Sequence, residues 1–392
     1  MLNRRSLRIK AMQAIYAFKQ SKESNYHIAQ DLIKETFLPD LNSMEVQDKE
    51  LLDKKKAQAL ELFRTYYHAD HVEIEKGVEK DVYQAATDAL LHYKNQVNKD
   101  VDAYRRQMLI EAEKIYDHYL SILLLPGEWA EMAKADRERK SLNLGQAQPA
   151  GPLNLYHNKV IERLRNSKPL TIEAIKRNID WAEQKDNVRQ WFRDIVKKDP
   201  VYEEYITVRH PSFEEDKQML LHLAKNIIFK SEPLQGFWDE VDISWAENKA
   251  ILKSMVVKTL KGVDEEGEDS ELGLVELSSN WEDDREFFEA LFVKCIRHDD
   301  QYEALISKKA KNWDVERIAA TDKIILCMAI CEMMNFPSIP VKVTINEYIE
   351  ISKIYSTPKS KQFVNGILDV LAEELLEEGL IKKSGRGLID NK

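Results

Sequence analysis

Val341–Leu371, VKVTINEYIEISKIYSTPKSKQFVNGILDVL, decides how this chain reads. Its apolar residues recur at helical spacing, with Val341, Ile345, Tyr348, Ser352 and Tyr355 on one face. Pro340 suits the first helical position, where its missing N–H costs nothing. Thr357-Pro358 interrupts the pattern, because proline disfavours helical backbone in the residue before it. Ser360 is an apt N-cap for a second helix, which turns Phe363, Ile367, Val370 or Leu371, and Leu375 inward. Gly366 sits inside that helix at a cost of about 1 kcal/mol relative to alanine. A glycine there points to another helix or a ligand approaching the backbone closely. Lys353, Lys359 and Lys361 surround the loop, with no acid between Ser352 and Gln362. Basic side chains beside Phe363 and Asn365 can meet phosphates and a base together.

The same charge pattern recurs at the other end of the chain. Residues 1–22 carry Arg4, Arg5, Arg8, Lys10, Lys19 and Lys22 and no acid, although the net charge of the chain is −10. Residues 264–271 carry six acids and no base. Such segregation suits one local anion-binding surface rather than a protein that coats nucleic acid throughout. The basic stretch is itself an amphipathic helix, with Ile9, Met12 and Tyr16 on its apolar face. Arginines in a first helical turn oppose the macrodipole, a local conflict that a ligand site can impose.

These stretches carry a family resemblance. Ile345-Asn346-Glu347, followed by Phe363-Val364-Asn365-Gly366-x-Leu368-Asp369, resembles the signature of the NusB family of transcription antitermination factors. Asp322–Glu332 (DKIILCMAICE) is similar to the family's preceding helix. Arg4-Arg5-x-x-Arg8 with Gln13-Ala14-Ile15-Tyr16 resembles its first helix. The likeness covers roughly Asn3–Lys22 and Asp283–Glu374. It implies a compact all-helical RNA-binding domain at 283–378, with the first helix, 1–22, packed against it. It further implies boxA-type single-stranded RNA and the ribosomal protein NusE (S-ten) as partners within a transcription elongation complex, in the cytoplasm. The RNA-binding residues would be Arg4, Arg5, Arg8, Lys361, Gln362, Phe363 and Asn365. Glu316 and Asp322 match acidic positions of the partner contact.

The long segment between the two matches is foreign to the family pattern, and its composition is helical. The whole chain has only 12 Gly and 11 Pro in 392 residues, with 32% charged, which favours an all-α protein. Residues 4–20 read as one helix and 26–68 as two more around Leu38-Pro39-Asp40. From Val78 to Leu125 neither Pro nor Gly occurs. Val82, Tyr93, Tyr104 and Ile115 repeat at eleven, as do Ala86, Val97, Met108 and Tyr119, a period that keeps a stripe nearly straight on an α-helix. Asn95, Asn98 and Asp100 mark where this helix would break. Gly145–Pro152 reads as a loop, Thr171 as a cap, and 263–282 as an acidic, mobile linker ending an additional helical region over 23–262. Shifting the chain by 68 lays residues 215–257 on 283–325 without a gap, pairing Asp216 with Asp284 and Trp245 with Trp313. That suggests duplicated helical packing.

No Walker loop, dinucleotide glycine fingerprint, zinc quartet or nucleophile elbow is present, so neither an enzyme nor a cofactor is expected. His68 and His71 with Asp70 and Glu75 read as a solvated helix face rather than a metal site. Cys295, Cys327 and Cys331 read as buried reduced thiols. No apolar run reaches membrane-spanning length, and the N-terminus lacks the apolar core of a signal peptide. Two readings follow. One is an RNA-binding antitermination factor in ribosomal RNA synthesis. The other is a non-catalytic helical scaffold for transcription or ribosome assembly.

Overall fold

The computed structural model describes residues 1–40, 42, 47–73, 77–143, 153–266, 272–309 and 319–389. Every regular element among them is helical. In chain order these are α1 (Arg4–Thr36), α2 (Lys49–Tyr66), α3 (Lys80–Asn143), α4 (Lys159–Asn166), α5 (Lys168–Arg177), α6 (Lys185–Asp194), α7 (Pro200–Tyr205), α8 (Phe213–His222), α9 (Glu232–Val241), α10 (Trp245–Lys261), α11 (Trp281–Arg297), α12 (Asp299–Lys309), α13 (Ala320–Asn335), α14 (Val341–Tyr355) and α15 (Ser360–Glu377). A π-helical turn, Leu223–Ile228, prolongs α8. No helix among the described residues is long and apolar enough to cross a membrane.

Two compact units divide the chain. A terminal unit combines Arg4–Leu109 with Glu282–Lys392, and an inserted unit combines Met1–Asn3 with Ile110–Trp281. The boundary expected at residue 22 therefore falls at 109. Residues 23–109 join the first helix and the C-terminal helices instead of forming part of a separate region.

In the terminal unit, α1 runs unbroken for 33 residues, where two helices were expected. Its middle is polar, but the polar groups have partners off the backbone. Ser21 Oγ and Asn25 Nδ2 both donate to Asp100 on α3, at 2.5 and 2.7 Å. The same contacts occupy Asp100, so α3 passes through Asn95, Asn98 and Asp100 without the expected break. Ala29, Ile33 and Phe37 meet Ala59, Leu62 and Phe63 of α2 and Val82, Ala86, Leu90 and Tyr93 of α3 in one apolar core. The aromatic stripe is thus packing. The first part of α1 lies on α13 and α14 and buries Leu7, Ala11, Met12, Ile15 and Phe18. The expected face was displaced: Met12 is buried, but Tyr16 is exposed. Helix α13 is apolar on all sides, buried continuously from Ile324 to Met333, as a central helix must be. The C-terminal pair follows the sequence closely. Val341, Ile345, Tyr348 and Ser352 are buried on α14, and Phe363, Ile367, Leu371 and Leu375 on α15. Val370 is exposed. The thiols of Cys295, Cys327 and Cys331 are all buried, and burial pushes that of Cys331 up to about 12.

In the inserted unit, α3 continues through Pro126 to Asn143. A proline inside a helix costs about 3 kcal/mol. Burial of Tyr119, Leu120, Ile122, Leu123 and Leu125 before it, and of Trp129 and Ala130 after it, offsets that cost. Ser167, not Thr171, caps α5, and Thr171 Oγ1 donates back to the Ser167 carbonyl. Residues 275–278 are packed rather than a mobile linker. Val275 N–H donates to Tyr119 Oη at 3.0 Å, Leu2 N–H donates to the Leu277 carbonyl at 2.7 Å, and Val275, Leu277 and Ser278 are buried. The sequence loop Gly145–Pro152 lies outside the described residues.

Under the 68-residue shift, α8 with its π turn falls on α11, and α9 falls on α12. The buried positions coincide: Asp216 with Asp284, Met219 with Phe287, Leu220 with Phe288, Leu223 with Leu291, Leu234 with Tyr302 and Trp238 with Ile306. The third pair, α10 and α13, overlaps from Ala320 onward under the same shift, with Val256 on Ile324 and Leu260 on Met328, all four buried. Trp313 lies outside the described residues.

The inserted unit also holds a buried histidine. His118 Nδ1 lies 3.5 Å from Asp242 Oδ2, but that carboxylate already accepts from Ser244 N–H and Asn248 Nδ2. Burial lowers the His118 pKa below its ordinary 6.5, against the opposing pull of Asp242. A histidine depressed in the folded state contributes stability above its unfolded pKa, and that contribution is lost as pH falls through the folded value. Thermal stability followed by tryptophan emission is expected to drop as the pH is lowered from about 6.5 towards 5. His118→Gln should flatten that dependence; an equal slope in the variant would assign the drop to other groups.

Candidate nucleic-acid interface

The N-terminus of α1, α14 and the start of α15 meet in the terminal unit. Cations from three different helices act on one half-buried carboxylate there, and Lys353 bonds it directly. Glu350 of α14 is held below its ordinary pKa first by a hydrogen bond from Lys353, and further by the charges of Lys353, Arg5 and Lys361. Long-range folding therefore joins two basic stretches that lie more than three hundred residues apart in sequence. Lys359, Lys361 and Gln362 are exposed beside them.

The three arginines of α1 differ sharply. Arg4 is 40% exposed, donates to Asp284 at 3.0 Å and covers the ring of Phe287. Arg5 is 41% exposed and makes a forked pair with Glu347, at 2.9 and 2.8 Å. Arg8 is only 3% exposed. Its Nε and one terminal nitrogen each donate to Glu332 at 2.7 Å, and its guanidinium lies between the rings of Phe287 and Tyr348. Burial opposes its charge, but the charge and hydrogen bonds of Glu332 outweigh burial and raise its pKa. Thr344 and Tyr348 hydroxyls also donate to Glu332. Arg8 is thus a core residue that fixes α1 on α13 and α14, not a side chain presented to a ligand.

The α15 residues divide in the same way. Lys361 and Gln362 point outward, whereas Phe363 is buried, because it lies on the same helix face as Ile367 and Leu371. Asn365 is half-buried, with its amide donating to Asp369 at 2.8 Å. Ser360 does not cap the helix. Its hydroxyl donates to Asp322 at 2.6 Å, and Asp322 is itself buried at the start of α13. That bond ties the Thr357–Ser360 turn to α13, so Asp322 acts here by holding the loop. Glu316 lies outside the described residues. Lys19, the other basic residue of α1 with a strong role, bridges Asp299 and Glu303 at 2.8 and 2.7 Å. Those two carboxylates and Cys327 are close enough to hold a metal ion, but the ammonium occupies the place between them.

Glu332 and Glu347 escaped the sequence reading. The signal for Glu332 was available: a lone acid within the apolar run ILCMAICEMM requires a buried cation. Gly366 was expected to admit a close neighbour, yet a Cβ built there meets nothing within 4 Å. Gly366→Ala is accordingly expected to raise stability by about 0.5–1 kcal/mol; a loss of stability in denaturant titration would mean that the open space is filled in solution.

Residues 251–373 match the model of the NusB family. This part of the chain is a NusB domain. Over 105 residues it is 44% identical to the transcription antitermination protein NusB of Salinibacter ruber, which is 27% of this chain and 66% of that protein. The NusB proteins of Chloroherpeton thalassium (43% over 106 residues, 27% of this chain and 50% of that protein) and Koribacter versatilis (44% over 94 residues, 24% and 64%) are similarly related. The chain thus matches between half and two thirds of each relative's length. No solved structure matches it. The matched range contains α13, α14 and α15, hence Glu332, Glu347, Glu350 and Lys361, but not the first helix that completes the basic surface.

Proposed function

We propose that the protein is a non-catalytic, RNA-binding transcription antitermination factor of the cytoplasm. It would engage boxA-type single-stranded RNA across α1 and the α14–α15 turn, together with the ribosomal protein NusE, in ribosomal RNA synthesis. The carrying observation is geometric: Arg5 of α1, bonded to Glu347, and Lys353, bonded to Glu350, meet on α14, which packs on α15 with its exposed Lys361, and α14 and α15 belong to the NusB domain. Arg4, Arg5 and Lys361 supply phosphate contacts. Gln362 and Asn365, one turn apart on α15, supply polar groups for base edges. Arg8 and Phe363 belong to the packing underneath and position this surface without touching RNA. The resemblance to the family carries the NusE partnership, and Asp322 would serve it indirectly by holding the turn.

Phosphate contacts give affinity and salt dependence without sequence preference. Arg4→Ala with Arg5→Ala should weaken binding to boxA and scrambled RNA alike, and reduce the salt slope by about 0.7 for each lost contact to a single strand. Gln362→Ala should instead reduce discrimination between the two RNAs, by about 1–3 kcal/mol if it makes a good base-edge contact. The measurement is a salt titration of RNA binding for each variant, with and without NusE. If the intact protein with NusE prefers neither RNA, and the double arginine variant binds like the parent, the helical-scaffold reading replaces this one.

A further inference from the structure

The inserted unit has its own basic face, and a piece of the chain lies on it. Helix α4 is anchored by a buried polar network. Asn158 caps it, accepting from the N–H groups of Val160 and Ile161, and Asp216 accepts from Lys159 N–H at 2.8 Å and from Tyr205 Oη at 2.7 Å. Lys159, Glu162, Arg163 and Asn166 recur at helical spacing and, with Phe213 and Glu265, line a cleft of about 410 Å³. Lys217 of α8 stands beside it, its ammonium 5.7 Å from the Phe213 ring centre.

Each of these cations is paired with the same short segment. Lys159 Nζ donates to the Glu265 carboxylate at 2.9 Å, Arg163 to the Glu265 carbonyl, and Lys217 Nζ to the Val263 carbonyl at 2.7 Å. A carboxylate and two carbonyls thus stand along the cleft where oxygens of a polyanion would be satisfied. Lys159 and Glu265 are each about half exposed, so water competes for the pair and its strength is small. A weakly held internal acid of this kind is displaceable.

We propose that the cleft formed by Lys159, Arg163, Asn166 and Lys217 is a second binding site for the phosphodiester backbone of RNA, occupied in this state by the Val263–Glu265 segment as an internal competitor. The proposal rests on the RNA-binding reading of the protein, but it uses none of the residues of the NusB surface. Asn166 offers an amide to sugar or base, and Phe213 lines the cleft with it.

The test uses the full chain carrying Arg4→Ala and Arg5→Ala, so that the first surface is weakened throughout. Binding of a fluorescent twelve-nucleotide oligouridylate is measured against salt. Adding Asp264→Asn, Glu265→Gln and Glu266→Gln is expected to tighten binding several-fold and to steepen the salt slope by about 0.7 to 2, because Lys159 loses its carboxylate partner and the segment, held then only through two carbonyls, gives way to phosphates. Lys159→Ala and Arg163→Ala on top of these changes should abolish the gain. A control with Glu35→Gln, Glu61→Gln and Asp88→Asn removes the same charge elsewhere and should gain much less. The proposal is overturned if the acid-neutralised variant binds no tighter, if its gain survives loss of Lys159 and Arg163, or if the control gains as much. Competition by polyglutamate with no oligouridylate binding would equally overturn it, in favour of an acidic protein partner. Failure of the NusB-surface reading shows instead in the parent chain, as equal binding with and without Arg4 and Arg5.

Discussion

Arg8→Ala is expected to destabilise the terminal unit by about 3–5 kcal/mol, the cost of leaving one member of a buried ion pair without its partner. Glu332 is completely buried and would keep only the Thr344 and Tyr348 hydroxyls as donors. The geometry is the favourable kind: two parallel N–H···O bonds at 2.7 Å, which only a guanidinium can supply. Arg8→Lys should therefore recover little. The three cysteines report on this unit, because Cys295, Cys327 and Cys331 are buried within it. Their labelling by an aromatic disulfide in native buffer requires opening, and every 1.4 kcal/mol lost raises the open fraction about tenfold. Labelling of the variant should accelerate roughly a hundredfold or more when closing is faster than reaction. Glu332→Gln combined with Arg8→Met should cost less than the sum of the two single changes, since the residues act as a pair. A loss below about 1 kcal/mol for Arg8→Ala would show that the pair is hydrated in solution.

That network marks where sequence reading succeeded and where it failed. The faces of α14 and α15 were legible because apolar periodicity is local, and each buried residue announces itself within one or two turns. The fate of Arg8 was not, because it depends on a carboxylate more than three hundred residues away. Arg4, Arg5 and Arg8 look alike in sequence, all basic and all in one helix. Read against the true contact face of Leu7, Ala11 and Ile15, the 100° step between successive helix positions turns Arg8 inward and leaves Arg5 at the rim, while Arg4, one turn before Arg8 on the same face, stays partly exposed as the first residue of α1. Choosing Ile9, Met12 and Tyr16 as that face rotated the helix away from its observed orientation, and so made Arg8 look available.

The division of the chain failed for a related reason. Residues 26–109 carry no motif, so they read as part of the foreign segment, yet their apolar stripe completes the core that α1 begins. The breaks expected at residues 20–26 and 95–100 rested on polar residues that compete with the helical backbone. Ser21, Asn25 and Asp100 are such residues, but they satisfy one another across two helices. A pair of apparent helix breakers is thus a tertiary contact, and neither sequence stretch shows it alone. Asp322 illustrates the limit of carrying positions over from a family: its carboxylate accepts from the Ser360 hydroxyl.

Trp245→Ala is expected to cost the inserted unit about 3–5 kcal/mol, the range for truncating a large buried aromatic. Trp245 is fully buried at the start of α10. It stacks on Trp238 at 5.0 Å and lies parallel to Phe229 at 5.9 Å, and its indole N–H donates to Gln235 at 3.1 Å. Truncation therefore opens a cavity, removes two ring contacts and leaves the Gln235 amide without this partner. Trp245→Phe keeps part of the stacking and should cost less than alanine. The readout is weighted to the inserted unit, because six of the seven tryptophans, Trp129, Trp181, Trp191, Trp238, Trp245 and Trp281, lie in it, and Trp313→Phe in both parent and variant removes the seventh. Their emission should shift at lower denaturant in the variant. The RNA binding proposed for Arg4, Arg5 and Lys361 should persist in native buffer, since none of those residues lies in that unit. Loss of RNA binding at a denaturant concentration where the cysteines remain protected would instead place part of the first RNA surface on the inserted helices.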